Sequence, residues 1–289
     1  MNRREVLRTL CAAGGAALAA GSAEAEQTGV VVGERDVLGV LVDTTKCIGC
    51  RMCEYACADA NGLPTPDADV ELGPDRDTST TEWSVIKKFE TSAGPVTVKR
   101  QCMHCLQPAC TSACLTKAMY KTPEGPVTWR ASKCMGCRYC MVSCPFDVPR
   151  FEYHSAVPKI QKCVMCFSRI EQGERPACVS NCPAEALTFG RRTELLDEAR
   201  SRIYTAPDRY VHHIYGENEA GGTSWLYLSA VPFEEIGFRT DLGTTGYPMY
   251  TREFLYAVPL VLTIVPPFLL ALNRATRRHE EAPETGGEG

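Results

Sequence analysis

Sixteen of the seventeen cysteines in this 289-residue chain stand in four tight quartets. They are Cys47, Cys50, Cys53 and Cys57; Cys102, Cys105, Cys110 and Cys114; Cys134, Cys137, Cys140 and Cys144; and Cys163, Cys166, Cys178 and Cys182. No other feature limits the fold so severely. In the first and third quartets four thiols fall within eleven residues, too close to be dispersed through an ordinary apolar core. The backbone of each quartet has to turn around something its thiols hold.

The first and third quartets have the spacing C-x2-C-x2-C-x3-C, the ligand run of bacterial ferredoxins, in which the fourth cysteine serves a neighbouring cluster. Three thiolates on one short loop reach three corners of an iron-sulfur cube only if the backbone turns tightly between them. Gly49 and Gly136 supply that freedom. The fourth cysteine, placed at the expected start of a helix, points away from its own loop toward a second cube. Other thiol chemistries fit less well. Structural zinc takes C-x2-C pairs from two separated knuckles. A disulfide framework has looser spacing. A c-type haem needs C-x-x-C-H, whereas the residues after the pairs are Arg51, Glu54, Leu106, Arg138, Met141 and Phe167.

The quartets repeat. Lys46-Cys47-Ile48-Gly49-Cys50-Arg51-Met52-Cys53 matches Lys133-Cys134-Met135-Gly136-Cys137-Arg138-Tyr139-Cys140. Pro108-Ala109-Cys110-Thr111-Ser112-Ala113-Cys114 likewise matches Pro176-Ala177-Cys178-Val179-Ser180-Asn181-Cys182, with seven extra residues between Cys166 and Cys178. A two-cluster unit has been doubled. Short apolar runs at Val37 to Val42, Val127 to Trp129 and Leu187 to Phe189 read as strands. Segments after each fourth cysteine, such as Pro183-Ala184-Glu185-Ala186, read as short helix starts with proline in the first turn. Asn61 to Asp77, rich in Pro, Asp and Gly, reads as a surface loop. Thr193 to Ser201 looks helical, and the aromatic, glycine-rich stretch Tyr204 to Tyr250 reads as a docking or covering extension without metal ligands. The expected fold class is α+β: a duplicated ferredoxin-like four-cluster domain with a C-terminal extension and one transmembrane helix. Its core is expected to be largely the cofactors, so that it does not fold without iron.

The N-terminus carries Asn2-Arg3-Arg4-Glu5-Val6-Leu7-Arg8, a weakly apolar Ala/Gly/Leu run and Ala23-Glu24-Ala25. This is the pattern of a twin-arginine signal peptide cut after Ala25, and Cys11 leaves with it. The route suits the quartets, because folded proteins travel on it and iron can be installed before the chain meets an oxidising compartment. Near the other end, the nineteen residues Phe254 to Leu272 carry no charge and span about 28 Å as a helix, enough to cross a bilayer. Arg274, Arg277 and Arg278 follow, so the positive-inside rule puts the C-terminus in the cytoplasm. Pro259, Pro266 and Pro267 are expected to bend this span or lower its helicity, and neighbours from a membrane subunit are needed to satisfy the freed carbonyls. The organisation is then 1–25 signal peptide, 26–192 cluster domain, 193–250 extension, 251–273 transmembrane helix and 274–289 cytoplasmic tail. Removing the leader takes three arginines and two glutamates from 31 basic and 35 acidic residues, leaving 28 against 33. That balance argues against nucleic-acid binding.

Four quartets in this order and spacing resemble the electron-transfer subunits of the dimethyl-sulfoxide-reductase and formate-dehydrogenase families. With the twin-arginine start, the C-terminal span and the segment His213-Ile214-Tyr215-Gly216-Glu217-Asn218-Glu219-Ala220-Gly221-Gly222-Thr223, the chain is most similar to the iron-sulfur subunits of hydrogenase-2-type nickel-iron hydrogenases. The resemblance implies four [4Fe-4S] clusters with ligands shared crosswise. One cube takes Cys47, Cys50, Cys53 and Cys182, and its partner takes Cys163, Cys166, Cys178 and Cys57. The inner pair takes Cys102, Cys105, Cys110 with Cys144, and Cys134, Cys137, Cys140 with Cys114. The duplication alone also permits pairing of adjacent quartets within each repeat.

What the resemblance implies in function is a relay with no catalytic residue of its own. It would join a periplasmic nickel-iron hydrogenase, with its large and small subunits, to an integral membrane quinone-reactive subunit. The chain would lie on the periplasmic face of the bacterial inner membrane. A second reading keeps the relay and makes the donor a molybdopterin oxidoreductase of the formate, thiosulfate or polysulfide type. A third makes the chain a redox sensor or assembly factor, for which four clusters are more than is needed. Lys46, Arg51, Lys133, Arg138 and Lys162 beside the ligands have two readings, shifting cluster potentials or solvating the surface, and the surface role is the expected one. His104, His154, His212 and His213 are expected to be structural, with His212 and His213 placed to meet a partner or a proton path.

Overall fold

The computed structural model describes residues 36–280, with side chains to residue 277. The expected signal segment 1–25, its expected cleavage site and Cys11 lie outside the described residues, as do positions 281–289. In chain order the elements are β1 (Leu38–Asp43), α1 (Met52–Asn61), β2 (Val85–Thr91), β3 (Gly94–Arg100), α2 (Ala109–Ser112), β4 (Met119–Lys121) and β5 (Val127–Trp129). They continue with α3 (Tyr139–Val142), β6 (Arg150–Phe151), β7 (Ile160–Gln161), α4 (Phe167–Ile170), α5 (Ala177–Ser180), β8 (Leu187–Arg191), α6 (Arg192–Thr205), β9 (Trp225–Leu228) and α7 (Tyr247–Glu280). The mixed helix and strand content is the expected α+β class.

The central sheet has the order β8-β1-β9, with β8 antiparallel and β9 parallel to β1. Its two faces do different work because side chains alternate along a strand. Val40, Val42, Trp225 and Tyr227 point into the large apolar cluster that also contains Cys53 and Cys178. Leu41, Leu226 and Leu228 point the other way, against Leu195, Leu196 and Ala199 of α6. With both faces covered, the strand has to be apolar at every position, which is why Val40-Leu41-Val42 reads as a continuous run. The core is therefore not only cofactor: a conventional apolar layer under α6 backs the cluster side.

The residues beyond Arg192 are built into this sheet. Strand β9 pairs with β1 from Val40↔Trp225 to Asp43↔Leu228. The buried carboxylate of Asp43 accepts from Tyr210 Oη at 2.9 Å and from Arg202 at 3.2 Å. A segment expected as a covering extension thus supplies the third strand of the main sheet.

A β2–β3 hairpin, paired from Val85↔Arg100 to Thr91↔Gly94, rises between the first two quartets. Thr97 Oγ1 donates to the Cys47 carbonyl at 2.9 Å, seating the hairpin on the first cysteine loop. The proposed loop after Asn61 begins where α1 ends, at Gly62 in the left-handed conformation.

Of the helices expected after the fourth cysteines, only the one at Cys57 runs on past its cysteine; at the other three quartets the helix comes before. Cys57 lies inside α1, and α2, α3 and α5 end just before Cys114, Cys144 and Cys182. Pro183 to Ala186 is a turn. Three residues after their fourth cysteines, Lys117, Asp147 and Glu185 each take a left-handed φ near +50°, which reverses the chain where a helix would have to continue.

Helix α7 is 34 residues long and runs through Pro259, Pro266 and Pro267 without a break. Its apolar stretch is not buried against the rest of the chain. By length and composition it can cross a membrane.

Candidate iron-sulfur centre

The cysteine loops are shaped by left-handed backbone. Gly49 and Gly136 sit at φ +70° and +73°, as the tight turns required. Arg51 and Arg138, two residues on, also take positive φ, so the two copies share their geometry as well as their sequence.

Three cavities open among the quartets, each lined by four thiols. Cys47, Cys50, Cys53 and Cys182 line a cavity of about 390 Å3, counting its open mouth. Cys57, Cys163, Cys166 and Cys178 line one of about 310 Å3. Cys114, Cys134, Cys137 and Cys140 line one of about 320 Å3. The remaining thiols also gather, since Cys105 is acted on electrostatically by Cys144, Cys102 and Cys110. Each cavity draws three thiols from one quartet and one from another.

Successive sets are joined by short pieces of backbone. Cys53 and Cys57 share α1. The ends of α5, α2 and α3 make the corresponding joins at Cys178/Cys182, Cys110/Cys114 and Cys140/Cys144. The middle two sets meet through Cys102 and Cys163, which pack in one apolar cluster with Val148. Among the described cysteines only Cys50 and Cys137 are exposed, and they belong to the sets at opposite ends of this row.

The donor set fits a polynuclear iron-sulfur cofactor. Among the described residues, no three His, Cys, Asp or Glu side chains converge as they would on a single metal ion. A cube spreads its thiolates over separate corners, whereas zinc draws all four sulfurs to about 2.3 Å. The indole N–H groups of Trp83 and Trp225 at the second cavity, and of Trp129 at the third, are buried without a protein acceptor. Cluster sulfur is an acceptor of the right kind for such donors. The cysteine sulfurs themselves receive backbone donors: Met165 N–H reaches Cys163 Sγ at 3.3 Å and Met119 N–H reaches Cys114 Sγ at 3.4 Å.

Burial makes several of the thiols reluctant acids. It pushes Cys57 up to about 12 against the nearby positive charge of Lys99, and it raises Cys140 and Cys144 to about 11. Such thiols ionise when a metal takes the proton's place, so loading and deprotonation are one event.

The basic residues beside the ligands divide. Lys133 and Arg138 are exposed as expected, the latter over the Phe151 and Tyr153 rings. Arg51 and Lys162 are not at the surface. Arg51 pairs with the buried Glu54 at 2.8 Å, and Lys162 is 2% exposed with Nζ donating to the carbonyls of Val127 and Cys163. Local spacing could not reveal this, because their covers come from distant segments. His104 is structural: its Nδ1 accepts from Val127 N–H at 2.7 Å, and burial together with Lys162, Lys121 and Lys99 holds its pKa well below the ordinary value. His154 is exposed. His212 and His213 line an open surface cavity with Tyr204, and His213 meets Glu219 at 2.7 Å.

One residue passed over in the sequence is Lys99 on β3. It lines both the first and the second cavity and is 2% exposed. Burial acts to lower its pKa, while the negative charge that Cys178, Cys53, Cys163 and Cys57 carry once ionised acts to raise it and outweighs burial. Its strand is covered on both faces, with Val98 also buried, so alternation gave no sign of which way it points.

Residues 96–192 match the 4Fe-4S dicluster domain family, a stretch containing the last three quartets. The hydrogenase-2 operon protein HybA of Escherichia coli O157:H7 is 33% identical to this chain over 96% of both sequences. This chain belongs to the HybA family. A protein of Nitratidesulfovibrio vulgaris is 49% identical over 97% of the chain and 78% of its own length. The iron-sulfur subunit of the nitrate-inducible formate dehydrogenase of Escherichia coli K12 is 33% identical over 65% of the chain and 66% of its own length. The chain is thus an iron-sulfur electron-transfer subunit of the hydrogenase and formate dehydrogenase type, built to hold [4Fe-4S] clusters.

Proposed function

We propose that the chain is a four-cube relay carrying electrons from a periplasmic nickel-iron hydrogenase to a quinone-reactive subunit in the membrane. The observation that carries this reading is the row of four thiol sets, with no exposed thiol in the middle two and an exposed one, Cys50 or Cys137, in each end set. The ligand sets are the crosswise ones: Cys47, Cys50, Cys53 and Cys182; Cys57, Cys163, Cys166 and Cys178; Cys102, Cys105, Cys110 and Cys144; Cys114, Cys134, Cys137 and Cys140. When bound, each cube takes up or releases one electron. The chain does the rest: its thiolates fix the cubes along a path, and apolar walls such as Ile86, Val42 and Leu187 keep water from the first cavity. No catalytic residue is assigned.

The path has a direction in space. Gly246, just before α7, packs so tightly on Gln107 of the second quartet that a Cβ there would lie 2.6 Å from Gln107 Oε1. The root of the anchor therefore sits beside the loop that leads to Cys114. The end bearing Cys114, Cys134, Cys137 and Cys140 faces the membrane subunit, and the end bearing Cys50 faces the donor. Exposed Leu115, Met135, Tyr139 and Val142 surround the membrane end, and exposed Ile48 and Met52 surround the donor end.

The anchor supports a membrane partner. Pro259, Pro266 and Pro267 offer no N–H to the carbonyls of Leu255, Leu262 and Thr263, and lipid cannot supply one. Arginines at positions 274 and 277 beyond the apolar stretch favour a cytoplasmic C-terminus, leaving the cluster domain on the periplasmic side.

Purification in mild detergent with metal analysis tests the whole reading. About sixteen iron atoms per chain, four cubes of four, together with nickel in the complex, are expected. The formate dehydrogenase likeness favours a second donor, and molybdenum in place of nickel would establish it. Markedly less iron in a fully loaded preparation would remove the four-cube claim.

A further inference from the structure

Lys99 is a buried ammonium in a shell of neutral groups. Its Nζ donates to Ser84 Oγ at 2.6 Å and Gln101 Oε1 at 3.1 Å, and lies 4.9 Å from the centre of the Trp225 ring. The shell is closed by further neutral bonds. Gln101 Nε2 donates to Tyr227 Oη at 2.6 Å, and that hydroxyl donates to the Lys99 carbonyl at 3.0 Å. Among the described residues no carboxylate pairs with Lys99. Glu54, buried next to Cys53, is already matched to Arg51 and Arg76.

A charge taken out of water without an opposite charge is costly, and buried cations are normally paired. The missing negative charge has one source in reach. Lys99 lines the cavity of Cys47, Cys50, Cys53 and Cys182 and also the cavity of Cys57, Cys163, Cys166 and Cys178. Four thiolates around each cube leave both sites negative. We propose that Lys99 is the counter-charge shared by the first two cubes of the relay and that it raises the reduction potential of both. This rests on the ligand sets proposed above.

The sign follows from charge. Each cube gains one negative charge when it accepts an electron, so a fixed cation beside it favours the reduced state. Ser84 and Gln101 are positioning residues: they hold the ammonium by hydrogen bonds without competing for its charge. Since a single cation lines both cavities, the two potentials move together, while the two cubes farther along the row are untouched.

The test is a redox titration of the whole purified complex, followed by electron paramagnetic resonance, for wild type, Lys99→Met, Lys99→Gln and Lys99→Arg. In the neutral variants two of the four cubes are expected to become harder to reduce by at least tenfold in their reduced-to-oxidised ratio, about 59 mV for a one-electron couple. The other two stay in place, and Lys99→Arg stays near wild type. Neutral variants that fail to load iron while Lys99→Arg loads would also support a required charge. Unmoved potentials, equal movement of all four, or failure of all three variants to load would overturn the inference. Wild-type iron content separates the two claims: a full complement with unmoved potentials sinks the role of Lys99 alone, and a deficit sinks the ligand reading first.

Discussion

Cys53 and Cys57 stand one turn apart on α1 and open into different cavities, Cys53 beside Cys182 and Cys57 beside Cys163. An i, i+4 pair lies on one helical face about 6 Å apart along the axis. One short helix can therefore hold neighbouring cubes within electron-exchange reach, which gives the C-x3-C part of the spacing its purpose.

The crosswise assignment makes Cys182→Ser act at a distance in sequence. The variant is expected to perturb or lose the cube of Cys47, Cys50 and Cys53, with a deficit of up to about four iron atoms. The cube of Cys163, Cys166 and Cys178 keeps its spectrum. Loss confined to that second cube in electron paramagnetic resonance would refute the assignment.

Gly39 measures how closely β1 and β9 approach. A Cβ at this position would lie 2.4 Å from the Ser224 carbonyl oxygen, backbone that cannot swing aside. Gly39→Ala is expected to destabilise the loaded protein by about 1–3 kcal/mol, the usual cost of overpacking. Gly73, whose Cβ would meet open space, provides the control, and thermal denaturation of both variants reads the difference.

Glu54 ties the helix of the first quartet to the hairpin. It pairs with Arg51 and Arg76 and accepts from Ile86 N–H, with its side chain 1% exposed. Glu54→Gln leaves two guanidiniums short of a negative charge, and breaking a buried pair from one side costs about 3–5 kcal/mol. Denaturation midpoints near wild type would show that the network is dispensable.

The two ends of the row are expected to fail differently. A charge at Met52 (Met52→Glu), exposed beside the first quartet and outside the cavity linings, slows reduction of the cubes by the proposed hydrogenase donor. A charge at Val142 (Val142→Glu) leaves that step intact and slows quinone reduction. Both residues are exposed, so neither variant disturbs the core. Stopped-flow reduction of the clusters and steady-state quinone assay separate the two effects, and a reversed pattern would turn the orientation around.

Truncation before Tyr247 removes the apolar helix and nothing that lines the three cavities. The shortened chain is expected in the soluble fraction with its iron retained. Continued sedimentation with membranes would mean that the partner, and not α7, holds it there.

The sequence alone determined the cofactor chemistry, the duplication and the apolar C-terminal span, because each is written in local spacing. Thiols two residues apart must share a loop, Gly49 and Gly136 mark where that loop turns, and nineteen uncharged residues measure a bilayer. Short strands at β1, β5 and β8 were legible for the same reason. Tertiary structure alone decided what depends on distant segments meeting. Helix α1 places Cys53 and Cys57 in separate cavities, β9 carries a remote segment into the main sheet, and the fold buries Lys162 and Lys99, which spacing leaves indistinguishable from surface lysines. The sharing of a lysine between two cavities requires a hairpin, a strand and two quartets, the first and the fourth, to close around it. Burial of that kind is a property of the assembled core, where charge is compensated across contacts that no run of neighbouring residues encodes.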